Sequence, residues 1–99
     1  MIKEKLASIR SKLNLDSASG YRFRLDKVSN TVVENESKIW LRTRIGEPML
    51  KELQDSIDQV YNSLEDEGVS ARFEASMRDV EVKASRIDEE SRRRDMVVT

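Results

Sequence analysis

From the amino terminus, apolar residues first recur at helical spacing. Ile2, Leu6, Ile9 and Leu13 form one stripe of a 3.6-residue period, with Lys3, Lys5, Arg10 and Lys12 on the other faces. Asn14, Asp16, Ser17, Ser19 and Gly20 then supply the turn formers that end the element. From Tyr21 the pattern changes to alternation. Tyr21, Phe23 and Leu25 lie on one face of an extended segment and Arg22 and Arg24 on the other. Val28 and Thr31-Val32-Val33 continue it between breaks at Ser29-Asn30 and Glu34-Asn35-Glu36. Ser37 to Ile45 alternates again, with Ile39, Leu41, Thr43 and Ile45 facing one way and Lys38, Trp40, Arg42 and Arg44 the other.

A long helix follows. Gly46-Glu47-Pro48 opens it, with Pro48 suited to a first helical position, and Leu50, Leu53, Ile57, Val60 and Leu64 repeat at three- and four-residue steps. Gly68 closes it. Beyond that glycine, Val69, Ala71, Phe73, Ala75 and Met77 alternate with polar residues, and the phase flips at Arg78-Asp79 so that Val80, Val82 and Ala84 take over. A flip of that kind suits a tight hairpin. Asp88–Arg92, Glu89–Arg93 and Glu90–Arg94 are acid-to-base pairs four residues apart, each able to support a helix by ~0.2–0.5 kcal/mol. Met96-Val97-Val98 leaves an apolar tip.

The expected order is α-β-β-α-β-β with a short C-terminal helix or flexible tail. Strands that alternate this way predict an α+β two-layer sandwich: an antiparallel four-stranded sheet covered by helices on one face. Residues 1–87 would form the single domain and residues 88–99 the charged tail.

Composition narrows the chemistry. The 99 residues include no histidine and no cysteine. Imidazole acid–base catalysis, thiol nucleophiles, disulfides and the usual zinc, haem and iron–sulfur ligand sets are therefore excluded. No cofactor or metal is expected. Hydrophobic and charged residues each make up 37% of the chain, so a folded domain with a thin core is predicted. No window nears the ~18 apolar residues of a membrane span, and the charged first fifteen residues do not read as a signal peptide. A cytoplasmic protein with no membrane partner is the expectation.

The net charge of −1 is a cancellation. Residues 1–46 carry +5 and residues 47–99 carry −6, with seven acids against one lysine between Glu47 and Glu67. On the expected sheet, Arg22, Arg24, Lys38, Arg42 and Arg44 would surround Trp40. Cations beside a flat ring fit phosphates and stacked bases, so nucleic acid is a candidate partner. The competing reading packs Trp40 under arginine stems or into a dimer contact. On the acidic helix, Asp55, Asp58, Tyr61 and Glu65 form a second candidate partner surface. Opposite signs on one molecule would attract two copies.

One stretch suggests catalysis. Asp79-Val80-Glu81-Val82-Lys83 resembles the active-site strand of PD-(D/E)xK nucleases, which implies carboxylates holding Mg²⁺ and Lys83 acting on the attacking water. The expected strand follows the long helix rather than preceding one, and the family's Pro-Asp is missing. The favoured expectation is a non-enzymatic protein-interaction or assembly module, a homodimer, with nucleic-acid binding as the alternative and nuclease action as the remote one.

Overall fold

A computed structural model describes residues 2–13 and 15–97, with side-chain surroundings over 2–13 and 20–94. Four helices account for nearly all of it: α1 (Ile2–Lys12), α2 (Leu15–Asn35), α3 (Gly46–Glu67) and α4 (Ala71–Val97), with a 3-10 helix (Ile39–Arg42) between α2 and α3. Among the described residues there is no strand, so the expected α+β sandwich is replaced by a helical bundle. Its extents are 46 × 22 × 21 Å.

The physical reason lies in which apolar residues are buried. Among the described side chains of α2 the buried positions are Leu25, Val28, Val32 and Asn35, spaced three, four and three apart, while Phe23 of the supposed strand face points to solvent at 65% exposure. On α4 they are Phe73, Met77, Val80, Ala84, Ile87 and Ser91, a stripe that runs straight through Arg78-Asp79. The apparent phase flip is therefore how a period near 3.5 looks when sampled every second residue. Ala71, Ala75, Val69 and Val82, which lent weight to alternation, are all exposed.

The residue pairs across the bundle fix its topology. Lys3–Glu36 and Arg10–Asp26 make α1 and α2 antiparallel. Lys5–Asp58 and Lys12–Glu65 make α1 and α3 parallel. Tyr21–Glu74 and Asn35–Asp88 make α2 and α4 parallel, so α3 and α4, which meet at Ser56–Asp79, run antiparallel. Each helix packs on two neighbours, so α2 and α3 sit across a diagonal. The chain crosses the end of the bundle to join them, and that crossover carries the 3-10 helix.

Local chemistry sets the helix ends. Gly68 adopts φ 70°, the left-handed region that favours glycine, and its N–H donates to the Leu64 carbonyl to end α3. Two residues later the Ser70 hydroxyl accepts the Phe73 N–H at 3.2 Å and caps α4. Near the end of α4, Asp88–Arg92 and Glu90–Arg94 form at four-residue spacing, while Arg93 pairs with Glu90 instead of Glu89. The side chains of Met96 and Val97, with Val98 and Thr99, lie outside the described residues.

Candidate functional site: the crossover between the second and third helices

The crossover is built around two buried side chains. Trp40 and Leu41 turn inward and close the end of the bundle. The Trp40 indole Nε1–H donates to Ser91 Oγ on α4 at 2.8 Å, and the Arg94 guanidinium lies over the ring at 5.2 Å from its centroid. The Thr43 hydroxyl donates to the Trp40 carbonyl at 2.6 Å, and the Glu47 N–H donates to the Thr43 carbonyl at 2.9 Å. Buried Gly46 lets α3 start directly against this turn. A Cβ there would stand 2.1 Å from the Trp40 carbonyl oxygen and 2.4 Å from Leu41 Cα.

These anchors leave the other crossover side chains outside. Ile39 is 82% exposed and Ile45 58%, and Arg42 and Arg44 are exposed beside them. A 3-10 helix repeats about every three residues, which puts Ile39 and Arg42 on one face and Trp40 and Leu41 on the opposite one. Among the described residues neither Arg42 nor Arg44 is paired with a carboxylate. Next to this face a cleft of about 310 Å³ opens between the start of α1, the end of α2 and the start of α3. Ile2, Val32, Leu41, Leu50, Leu53 and Ile87 form its apolar lining, and Lys3, Glu4, Glu36 and Arg42 stand among its polar groups.

The six residues expected on one basic sheet face are divided between two places. Lys38, Arg42 and Arg44 share the crossover with Trp40, whereas Arg22 and Arg24 lie on α2, at least eleven residues, or ~16 Å, from its end. Arg24 is committed within the fold. Its Nη1 donates to Glu74 Oε1 at 2.9 Å and its Nε to Glu81 Oε2 at 3.0 Å, while the Tyr21 hydroxyl also donates to Glu74. The Arg24 hydrogen bonds hold the Glu74 carboxyl down to about 2. The burial of Tyr21 and its bond to Glu74 push the phenol up.

The acidic helix uses its charges in the same way. Asp58 pairs with Lys5 at 3.7 Å and Glu65 with Lys12 at 2.7 Å, both from α1. Tyr61 lies beneath both lysines, 4.5 and 5.4 Å from its ring centroid. The Lys12 contact lowers the Glu65 carboxyl and raises the Lys12 ammonium. Opposite charges that suggested two copies therefore meet inside one chain, and of the four residues only Asp55 stays apart and exposed.

The nuclease-like stretch is helical rather than extended, a correction to its expected geometry. Glu81 turns to Arg24 on one side of α4, while Asp79 and Lys83 turn to Ser56 on the other. Asp79 Oδ2 accepts the Ser56 hydroxyl at 2.6 Å, and this bond leads in lowering the Asp79 carboxyl. Lys83 Nζ also lies 2.6 Å from that hydroxyl and 3.1 Å from Asp79. A serine beside a lysine suggests a nucleophile, but Ser56 is buried between α3 and α4 where no substrate reaches it. The trio is an interhelical clamp. Among the described residues no group of acidic side chains is arranged to hold a metal ion.

Sequence reasoning overlooked Ile39 and Ile45 by assigning them to a buried sheet face. It also overlooked Ser91, whose place at the end of the four-three-four stripe from Phe73 was the available signal. No helix among the described residues is long and apolar enough to cross a membrane. Comparison with known proteins finds no matching family model, no similar curated protein and no similar solved structure.

Proposed function

We propose that this chain is a small cytoplasmic protein-interaction module that works by self-association, with the crossover as its contact surface and no catalytic chemistry of its own. The observation that carries this reading is the pairing of a firmly anchored backbone with exposed isoleucines. Trp40, Leu41, Thr43 and Gly46 hold the crossover, while Ile39 and Ile45 stand in solvent. Single exposed apolar residues are ordinary on protein surfaces. Two of them on a pre-ordered turn, flanked by Arg42 and Arg44, lose little conformational freedom on binding and so suit an interface.

The nucleic-acid alternative draws on the same Lys38, Arg42 and Arg44. Two of its six groups are withdrawn, because the Trp40 ring is buried with its N–H committed to Ser91 and Arg24 is bound to Glu74 and Glu81. Stacking on Trp40 would require the end of the bundle to open. Self-association is the better supported reading. Sedimentation equilibrium over micromolar to millimolar protein tests it: a reversible dimer is expected, and a monomer at every concentration rejects it.

A further inference from the structure

The cleft beside the crossover is open, and Ile39, the most exposed large apolar residue among the described residues, belongs to the same 3-10 helix as Leu41 and Arg42, which line it. We infer that the cleft receives Ile39 of a second copy in a two-fold symmetric contact, each protomer giving one isoleucine and accepting one. This inference rests on the self-association reading and specifies its geometry.

Three observations support it. The first is shape. The cleft of about 310 Å³ is lined by Ile2, Val32, Leu41, Leu50, Leu53 and Ile87. Water in that open space is poorly served by such walls and is released when an apolar side chain enters. Ile39, at 82% exposure, does not enter the cleft of its own chain.

The second is placement. A two-fold contact needs knob and hole on the same surface of the molecule. The 3-10 repeat puts Ile39 on the face of Arg42, and Arg42 is itself at the cleft. Leu41 lines the cleft from the opposite side of the same turn, so one short element carries the knob and part of the hole.

The third is charge. Lys3 and Arg42 stand at the cleft together with Glu4 and Glu36, two of each sign. The signs cancel, which disfavours a strongly anionic or cationic small ligand. Glu36 is half exposed in its pair with Lys3. In a copy turned by a half rotation the Arg42 guanidinium, which has no carboxylate partner among the described residues of its own chain, can therefore join Lys3 at the Glu36 carboxylate of the other protomer.

The absence of cysteine from the chain allows a clean cross-linking test. Ser37→Cys, exposed and two residues before Ile39, is mixed under reducing conditions with Gln54→Cys, exposed at the cleft, and treated with a short bismaleimide. The expected product is a 37–54 cross-linked dimer in clear excess over a control in which Ala71→Cys, at the start of α4, replaces Gln54→Cys. Adding Ile39→Asp to the Ser37→Cys chain should weaken the dimer by about tenfold or more and remove most of the product. Circular dichroism of each variant verifies the fold. A reversible dimer whose 37–54 yield is no higher than the control, or is unmoved by Ile39→Asp, overturns this inference and leaves self-association standing. A monomer throughout overturns both.

Discussion

The Trp40 indole N–H donates to the Ser91 hydroxyl at 2.8 Å, joining two buried residues that are fifty-one positions apart in the chain. That bond fixes the crossover to the last third of α4 and so determines which of its side chains reach solvent. Ser91→Ala leaves the indole N–H without this acceptor in a closed site, at a cost of about 1–3 kcal/mol. Urea unfolding followed by the emission of the single tryptophan measures this directly. An unchanged midpoint would mean that the crossover is held by packing alone.

Two glycines should respond in opposite directions. Gly46→Ala would push a Cβ into the backbone of Trp40 and Leu41, which cannot withdraw as a flexible side chain can. A loss of about 3 kcal/mol or more is expected, with the crossover displaced. Gly20→Ala meets nothing within 4 Å on a helical stretch of α2 and should stabilise by about 0.5–1 kcal/mol. Thermal melts of the two variants compare them, and a neutral Gly46→Ala would contradict the close approach described.

Acid should loosen the contact between α2 and α4 through Glu74. Its carboxyl lies near 2 in the folded chain against an ordinary value of 4.5. The unfolded chain therefore takes up this proton first as pH falls. The stabilisation is complete above about pH 4.5 and is lost progressively toward pH 2. Glu74→Gln should lower stability at pH 7 and flatten its fall over that range. A variant whose acid limb matches wild type would show that the Arg24 contact does not persist in solution.

On the other side of the bundle, apolar burial should outweigh the ion pairs that surround α1. The Lys12 and Glu65 side chains are 40% and 44% exposed, so Lys12→Ala should change stability little. Ile9 is fully buried, and Ile9→Ala should cost about 2–5 kcal/mol. Equal losses in the two variants would mean that charge holds α1 in place.

Sequence patterning revealed some elements and misled at others for a definite reason. α1 and α3 were legible from their stripes, and in α3 end signals back the stripe, with Pro48 in its first turn and Gly68 at its close. Asp16, Ser17, Ser19 and Gly20, expected to be turn formers, are helical residues of α2. α2 and α4 carry few large apolar residues, and their stripes pass through Asn35, Ala84 and Ser91, which do not read as core. Exposed Phe23, Val82 and the alanines then mimic alternation. The charge split between the halves was legible too, although its use within one chain, Lys5 and Lys12 against Asp58 and Glu65, depends on α1 packing parallel to α3. Of the candidate surfaces, the grouping of Lys38, Arg42 and Arg44 could be read from spacing. The inward turn of Trp40 could not, because alternation placed it on the same face as those cations.

Backbone amide chemical shifts recorded over a dilution series locate the self-association surface without altering the chain. Concentration-dependent shifts grouped in residues 36–46 and around the cleft, at Val32, Leu50 and Gln54, are expected. Spectra that do not change with concentration, or shifts grouped instead around Phe23 and Val82 on the outer sides of α2 and α4, would contradict self-association through the crossover.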